Sequence, residues 1–424
     1  MNKIIFVANS SKRYRYYQLI AKTMKNSAQV IFPVYPTLSL IFGFFRAVPF
    51  DGDQLLAAHL RRQRINYPAL AKYSWCWRLY CLIAYRTESA RFFHYYHIFN
   101  KLSCEAVAIW NGQKQPYLTM VKAAEHAKKR ILFFENGLLP NTTTADYNGV
   151  NAHNSLPRSP DFYLNYIPSS NDAIDSKAID NKQKQKQSLR SQDVQLLTRD
   201  PHRKRKPTDQ QLNSLNFPYI FIPFQVPADS QVVLHSPWVK SMEQLFHLVR
   251  NARNHLLQQG QTKFPYLVFK EHPSWPGNFR HLYNVDKDCL FANENNTQEL
   301  IENAQAVITI NSTVGLESLL LGKKVLTLGN ACYNIKQLVL SASSERELLE
   351  ALSSLPTWQF NEVLRQKFIH FITEVYCIPT DWQKTLANTT NHIDGELNKK
   401  EDKLHIEAIT SRIFETDRLA NHLG

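Results

Sequence analysis

Short apolar runs, each closing on a polar turn, recur along the chain. The first is Lys3-Ile4-Ile5-Phe6-Val7-Ala8, followed by Asn9-Ser10-Ser11. Runs of the same kind lie at 28–34, 106–110, 130–134, 219–222, 266–269, 290–291, 306–310 and 324–328. Four to eight apolar residues bounded by turn residues mark strands buried on both faces. Helical patterns separate them, at 116–129, 237–258, 297–303, 314–321, 344–354 and 358–375, with Thr297 placed to cap its helix. Strand and helix alternating in this way build a parallel sheet.

The alternation occurs twice. Between the two blocks, residues 167–216 are rich in Ser, Asp, Gln and Lys, with KQKQKQ at 182–187, RKRK at 203–206 and no aromatic between Tyr166 and Phe217. Such a segment buries too little apolar surface to order itself and reads as a linker. The expected organisation is a first Rossmann-like domain over 1–166, the linker, a second Rossmann-like domain over 217–355, helices packing back over 356–390, and a polar tail over 391–424. The fold class is α/β, two Rossmann-like domains facing a central cleft, as in GT-B glycosyltransferases.

Residues 40–100 break the pattern. They mix aromatics with arginines, among them Phe42, Phe44, Phe45, Arg46, Arg61, Arg62, Arg64, Trp75, Trp77, Arg78, Tyr85 and Arg86. Two or more helices are expected. Their aromatics either form a subdomain core or lie on an anionic bilayer with Arg near the headgroups.

Composition narrows the function. The 424 residues carry a formal charge of +14, with 44% hydrophobic and 12% aromatic positions. Two or three globular domains and an anionic partner follow. The 12 glycines include neither GxGxxG nor GxxxxGK[ST], which excludes a Rossmann dehydrogenase or a P-loop NTPase. The cysteines show no CxxC spacing, so a zinc site or disulfide framework is not expected and a reducing compartment is. The opening run is too short for a secretory signal, and no stretch approaches the roughly 20 apolar residues of a membrane helix. A nucleic-acid role would rest on net charge and RKRK alone, without a basic aromatic platform, and is not expected.

Candidate chemistry gathers at strand ends, where open α/β sheets bind ligands. The strand at 130–134 leads into Glu135-Asn136-Gly137, and Asp146 follows eleven residues after Glu135. The intervening stretch is polar and weakly charged, and it reads as a long loop. Two acids there suit an acid/base and nucleophile pair; Asx turns in a plain surface loop would also explain them. In the second block, Asn311-Ser312-Thr313 precedes a helix, giving hydroxyls and free backbone N–H groups suited to an anion. Lys270, His272 and Pro273 end a neighbouring strand and add donors. Glu317, four residues beyond Thr313, is placed to grip sugar hydroxyls. A metal-bound donor is not indicated, and no metal or other cofactor is expected. Together these residues describe a nucleotide-sugar pocket, with the leaving phosphate stabilised by a helix dipole and basic side chains.

Several stretches resemble the bacterial capsule polysaccharide biosynthesis family of β-Kdo transferases. They are Trp110-Asn111-Gly112, FFENGLLPNTTTADYNGVN with SLPR behind it, YIFIPFQVPADSQVVLHSPW at 219–238, FKEHPS at 269–274 and TINSTVGLESLLLGKKVLTLGNACY at 309–333. The resemblance is greatest to the branch that begins the Kdo linker of capsules on phosphatidylglycerol. It implies CMP-β-Kdo as donor, retention of configuration, and a phosphatidylglycerol or lyso-phosphatidylglycerol acceptor. It also implies Asp146 of a D-x-x-G element as nucleophile and Glu135 of an E-x-G element as acid/base. His272, Pro273, Lys270, Ser312, Thr313 and Glu317 would bind CMP, with Gln225 and Ser230 lining the donor site. Asn111, Gly137, Asn151, His153 and Arg158 would face the substrate, Arg158 meeting the Kdo carboxylate best. The protein would be cytoplasmic and peripheral on the inner face of the membrane, working with a second capsule Kdo transferase and export machinery. Two other readings stay open: transfer of Kdo to lipopolysaccharide core, and a non-catalytic capsule assembly or export factor.

Overall fold

The computed structural model describes residues 4–24, 27–32, 42–167, 215–260, 264–379, 382–383, 385, 403–411 and 413. The linker and most of the tail expected from the sequence lie outside these residues. The chain divides into two units, Met1–Leu156 with Thr373–Gly424, and Pro157–Ile372.

The first unit is built on a six-stranded sheet of order β12-β5-β4-β3-β1-β2. Its strands are β1 (Ile4–Val7), β2 (Ala28–Ile31), β3 (Ala106–Trp110), β4 (Arg130–Asn136), β5 (Thr142–Asp146) and β12 (Ile378–Pro379). β2, β1, β3 and β4 run parallel. Every residue of β1 and β3 is buried, as the unbroken apolar runs require. Phe6, Tyr17 and Phe134 pack ring to ring over this sheet, with centroids 5.1 Å (Phe6–Tyr17) and 5.4 Å (Tyr17–Phe134) apart. Burial of each such side chain contributes roughly 1.5–3 kcal/mol.

The stretch after Glu135, expected to be a long loop, is instead a hairpin. β5 pairs antiparallel with β4, setting Glu135 opposite Thr144 and Phe133 opposite Asp146. Thr142-Thr143-Thr144 are β-branched and all buried, which suits a pleated surface better than a solvated loop. β12 then covers the outer side of β5 with an antiparallel pairing that places Pro379 at the sheet edge.

The division between units falls at Leu156/Pro157, earlier than the sequence boundary at 166. The helix Pro160–Asn165 packs on the helix Glu362–His370, with Tyr163 5.3 Å from Phe368 and Lys367 Nζ donating to the Leu164 carbonyl at 2.6 Å. Within 391–424, the described residues are not a solvated polar tail. Ile406, Ile409 and Ile413 join the first unit's core beside Ile378 and Trp382. His405 sits 3.1 Å from the Tyr16 hydroxyl and 2.6 Å from the Pro379 carbonyl.

The aromatic, Arg-rich region forms helices Gly52–Asn66, Pro68–Lys72 and Ser74–Lys101. The two halves of the last helix differ. Its C-terminal half supplies core residues Phe92, Tyr95 and Phe99. Its N-terminal half leaves Trp75 69%, Leu79 50%, Leu82 53% and Ile83 51% exposed. Trp75, Leu79 and Ile83 share one helix face by their four-residue spacing. No helix among the described residues is long and apolar enough to cross a membrane.

The second unit carries a parallel sheet of order β11-β10-β9-β6-β7-β8. Its strands are β6 (Tyr219–Pro223), β7 (Tyr266–Lys270), β8 (Cys289–Phe291), β9 (Ala306–Thr309), β10 (Lys324–Thr327) and β11 (Leu340–Ser341). Alternate residues of β6 serve opposite faces: Ile220 and Ile222 join one core, Tyr219 and Phe221 the other. Two Rossmann-like α/β units are the fold class expected from the sequence.

Candidate functional site

In each sheet the strand order reverses beside the first strand. The reversal lies between β1 and β3 in the first unit and between β6 and β9 in the second. Ligands of open α/β sheets bind past the carboxyl ends of the strands at such points.

In the first unit, Asn111 follows β3 in a left-handed conformation, φ 60°. Its Oδ1 accepts from the Gln113 N–H at 3.0 Å, and its Nδ2 donates to Glu135 Oε2. Glu135, at the end of β4, also accepts from the Asn136 N–H at 2.9 Å. Burial pushes the Glu135 carboxyl above its ordinary value of 4.5; the bonds from Asn111 and Asn136 and the charges of Arg13 and Lys114 oppose that rise. A half-buried carboxyl held by a side-chain amide, with its proton affinity raised, is suited to taking and giving a proton.

Asp146 is in a different situation. It is 1% exposed and both its oxygens are occupied. Oδ1 accepts from the Asn148 N–H at 2.8 Å; Oδ2 accepts from the Ser155 N–H at 2.8 Å, the Ser155 hydroxyl at 2.9 Å and the Tyr376 hydroxyl at 2.9 Å. The carboxylate ties the end of β5 to the turn beyond it and to the segment leading into β12. The expected nucleophile is thus a buried carboxylate whose Oδ2 is fully engaged and whose Oδ1 accepts one bond.

The other expected substrate residues scatter. Asn151, with φ 59°, donates to Gln113 Oε1 at 3.0 Å and so joins the Asn111 loop. Gly137 packs against Thr142 where a side chain would not fit, and its N–H donates to the Thr142 carbonyl at 2.7 Å. It closes the hairpin rather than presenting a contact surface. His153 is exposed. Arg158 belongs to the second unit, beside Tyr163, whose phenol is raised by burial and lowered in part by that arginine's charge.

In the second unit, Gln225 and Asn311 bridge the reversal between β6 and β9. Gln225 Nε2 donates to Asn311 Oδ1 at 3.0 Å, and Asn311 Nδ2 donates to the Gln231 and His235 carbonyls at 2.9 and 3.1 Å. Gln225 is 7% exposed and Ser230 3%, and the Gln225 bonds brace this unit. Ser312 caps the helix Thr313–Leu320 by accepting from the Val314 N–H at 3.2 Å, and Thr313 is exposed at its first turn. The Tyr333 hydroxyl donates to the Ser312 carbonyl. Gly315 permits this, since a Cβ there would collide with that hydroxyl. Burial, with Cys332 and Glu317 nearby, raises the Tyr333 phenol well above its ordinary value, so it remains a donor.

Beyond β7, His272 Nδ1 accepts from the Ser274 N–H at 3.1 Å, which leaves Nε2–H as the donor of the neutral ring. Pro273 beside it is exposed. Lys270 differs from expectation: its ammonium donates to the Asn293 carbonyl at 2.8 Å and to that of Asn295, pinning the loop after β8. Sequence reasoning missed the network that holds the His272 loop. Glu271, 5% exposed, accepts from the Phe279 N–H at 2.9 Å and the Tyr283 hydroxyl at 2.8 Å, and Asn293 Oδ1 accepts from the Glu271 N–H at 2.9 Å. It also missed Arg13, Tyr17, Tyr117 and Trp382 around Glu135. Only the strand–Asn-Ser-Ser–helix turn at 8–11 pointed there. Among the described residues no group of three or more His, Cys, Asp or Glu side chains is placed to hold a metal.

Each of the two α/β units presents polar strand ends at its reversal. The profile of the capsule polysaccharide biosynthesis protein family matches residues 105–195 and 177–350, more than half the chain, and the protein belongs to that family. Protein FixF of Sinorhizobium fredii is 34% identical over 337 residues, 77% of this chain and 74% of that protein. The capsule polysaccharide export protein KpsS of Escherichia coli is 30% identical over 252 residues, 49% of this chain and 63% of its own. Among solved structures, the Thermosulfurimonas dismutans KpsC β-Kdo 2,7 transferase aligns over 97% of this chain and 99% of its own, at 15% identity and a TM-score of 0.45.

Proposed function

We propose that the protein is a Kdo glycosyltransferase of capsule biosynthesis, using CMP-β-Kdo and a phosphatidylglycerol-type lipid. Family membership supports the pathway. The single structural observation that carries the chemistry is the Asn111–Glu135 pair at the first sheet's reversal, a carboxyl poised for proton transfer. In this reading Glu135 takes the proton from the acceptor hydroxyl. Ser312, Thr313 and the His272 Nε2–H meet the CMP phosphate at a helix N-terminus, and Glu317 meets the ribose. A lipid acceptor is supported by residues 54–87, which contain Arg61, Arg62, Arg64, Lys72, Arg78 and Arg86 and no acidic residue, beside the exposed Trp75–Ile83 face. The protein would then work at the inner face of the membrane.

Retention of configuration needs a nucleophile, and the reading assigns that role to Asp146. Its Ser155 and Tyr376 bonds must first give way to the anomeric carbon. Intact-mass measurement after mixing with CMP-β-Kdo tests this: a Kdo adduct on Asp146 supports it, and a product with inverted configuration removes it. The function as a whole is tested by incubating the full chain with CMP-β-Kdo and fluorescent phosphatidylglycerol. Kdo on lipopolysaccharide core instead would replace the acceptor. Failure of CMP-β-Kdo and CMP to raise the unfolding temperature would favour the export-factor reading.

A further inference from the structure

Arg13 lies on the first turn of the helix Ser11–Thr23, directly after β1 and beside the reversal between β1 and β3. Among the described residues its guanidinium has no carboxylate partner within ion-pair distance. Nη1 makes both of its side-chain hydrogen bonds, to Asn9 Oδ1 at 3.1 Å and to the Tyr117 hydroxyl. Three aromatic rings surround it: Trp110 at 4.7 Å, Tyr117 at 5.5 Å and Trp382 at 5.8 Å from the guanidinium carbon. Trp382 is itself fixed, donating to Asn136 Oδ1 at 3.0 Å and packing 4.9 Å from Trp110. Arg13 Nε is buried and has no hydrogen-bond partner, and among the described residues none accepts from Nη2. These two nitrogens form the edge of the fork that binds a carboxylate or phosphate in two parallel bonds.

A fully satisfied structural arginine would leave no such edge. The buried Tyr17 hydroxyl, also without a partner, lies in the same electrostatic neighbourhood as Arg13 and Glu135. We propose that the Nε–Nη2 edge of Arg13 is an anion subsite, taking a phosphate or carboxylate oxygen of substrate beside Glu135. This rests on the proposed function for the identity of the substrate. The anion is either the acceptor's phosphodiester or the sugar acid's carboxylate. Aromatic clamping holds the fork in place before binding, so little ordering entropy is lost when the anion arrives.

The experiment titrates the full chain with glycerol 1-phosphate, with free Kdo and with glycerol as the neutral control. It compares wild type with Arg13→Lys, Arg13→Gln and the exposed-site control Arg15→Met. One anion is expected to bind wild type and Arg15→Met equally, and Arg13→Lys roughly tenfold more weakly, since a point charge replaces a two-bond contact. Which anion responds identifies the source. CMP-induced stabilisation retained in both Arg13 variants checks the second unit, and far-ultraviolet circular dichroism checks the first. In wild type alone, the responding anion is expected to perturb tryptophan emission through Trp110 and Trp382, while glycerol does not. Equal anion affinity in wild type and both Arg13 variants overturns the proposal, as does binding with unchanged emission. Absence of Kdo transfer with Arg13-dependent anion binding intact would remove the proposed function and leave the subsite. Transfer as fast in Arg13→Lys as in wild type would do the reverse.

Discussion

Replacing Asp146 by Asn changes one atom and, by the hydrogen bonds described above, should cost far more stability than that suggests. The amide oxygen can keep the Asn148 N–H bond. The amide nitrogen then meets three former donors around Oδ2: the Ser155 N–H, the Ser155 hydroxyl and the Tyr376 hydroxyl. Both hydroxyls can rotate to accept from the new NH₂. The Ser155 N–H cannot, and flipping the amide strands the Asn148 N–H instead. One buried N–H left unpaired costs about 1–3 kcal/mol, and loss of charge from the remaining bonds adds about 1 kcal/mol each. The sum is about 4–6 kcal/mol, which lowers the unfolding temperature of a domain near 200 residues by roughly 8–24 °C. Thermal and urea unfolding followed by circular dichroism measure it, with CMP stabilisation of the second unit as internal control. Tyr376→Phe, which removes one donor to the carboxylate, should lose about 1.5–3 kcal/mol by the same reasoning. An Asp146→Asn protein within about 0.5 kcal/mol of wild type would refute the anchoring argument. The variant also separates two roles. A nucleophile gives no turnover at temperatures where the variant is folded, whereas a pure anchor gives turnover that tracks the folded fraction.

Glu135→Gln keeps the Asn111 contact and is expected to lower transfer by roughly 10²–10⁴-fold while leaving CMP stabilisation unchanged. Because the folded-state pKa of Glu135 is raised, its ionisation opposes folding: relative to Glu135→Gln, wild-type stability should fall as pH rises from about 4.5 through the raised value and then stay flat, measured by urea unfolding across pH. The acidic limb of the wild-type rate profile should lie above 4.5, and a limb below 4.5 would exclude Glu135 as the base. Gly315→Ala should push Tyr333 off the Ser312 carbonyl, destabilise the second unit by about 1–3 kcal/mol and weaken CMP binding in a thermal-shift titration. Trp75→Ser with Leu79→Ser and Ile83→Ser should reduce sedimentation with phosphatidylglycerol vesicles without lowering the unfolding temperature, because all three side chains are already half or more exposed.

The strands were legible because most of them are buried on both faces. Runs such as Ile4–Val7 and Ala106–Trp110 admit few other readings, and a polar turn follows each. The hairpin of β4 and β5 was not legible. A run of threonines beside Asn and Pro resembles a loop until the partner strand buries it, and that partner, with β12 beyond it, is set by pairing rather than by local sequence. The same holds for 403–413, whose isoleucines look sparse in one dimension and complete a core in three. The strand-end positions of Glu135, Ser312 and His272 could be read directly. Lys270, Gln225 and Gly137 carried the right chemistry at the right place in the chain, yet their side chains or backbones are committed to holding loops. Arg13 was visible only as one basic residue among several, because its aromatic clamp draws on Trp110, Tyr117 and Trp382 from distant segments.

The most direct measurement is mass spectrometry of the lipid recovered after incubating the full chain with CMP-β-Kdo and fluorescent phosphatidylglycerol. The account predicts a lipid heavier by Kdo, formed by wild type and not by Glu135→Gln. Unmodified lipid from a folded, CMP-binding wild-type protein would contradict it.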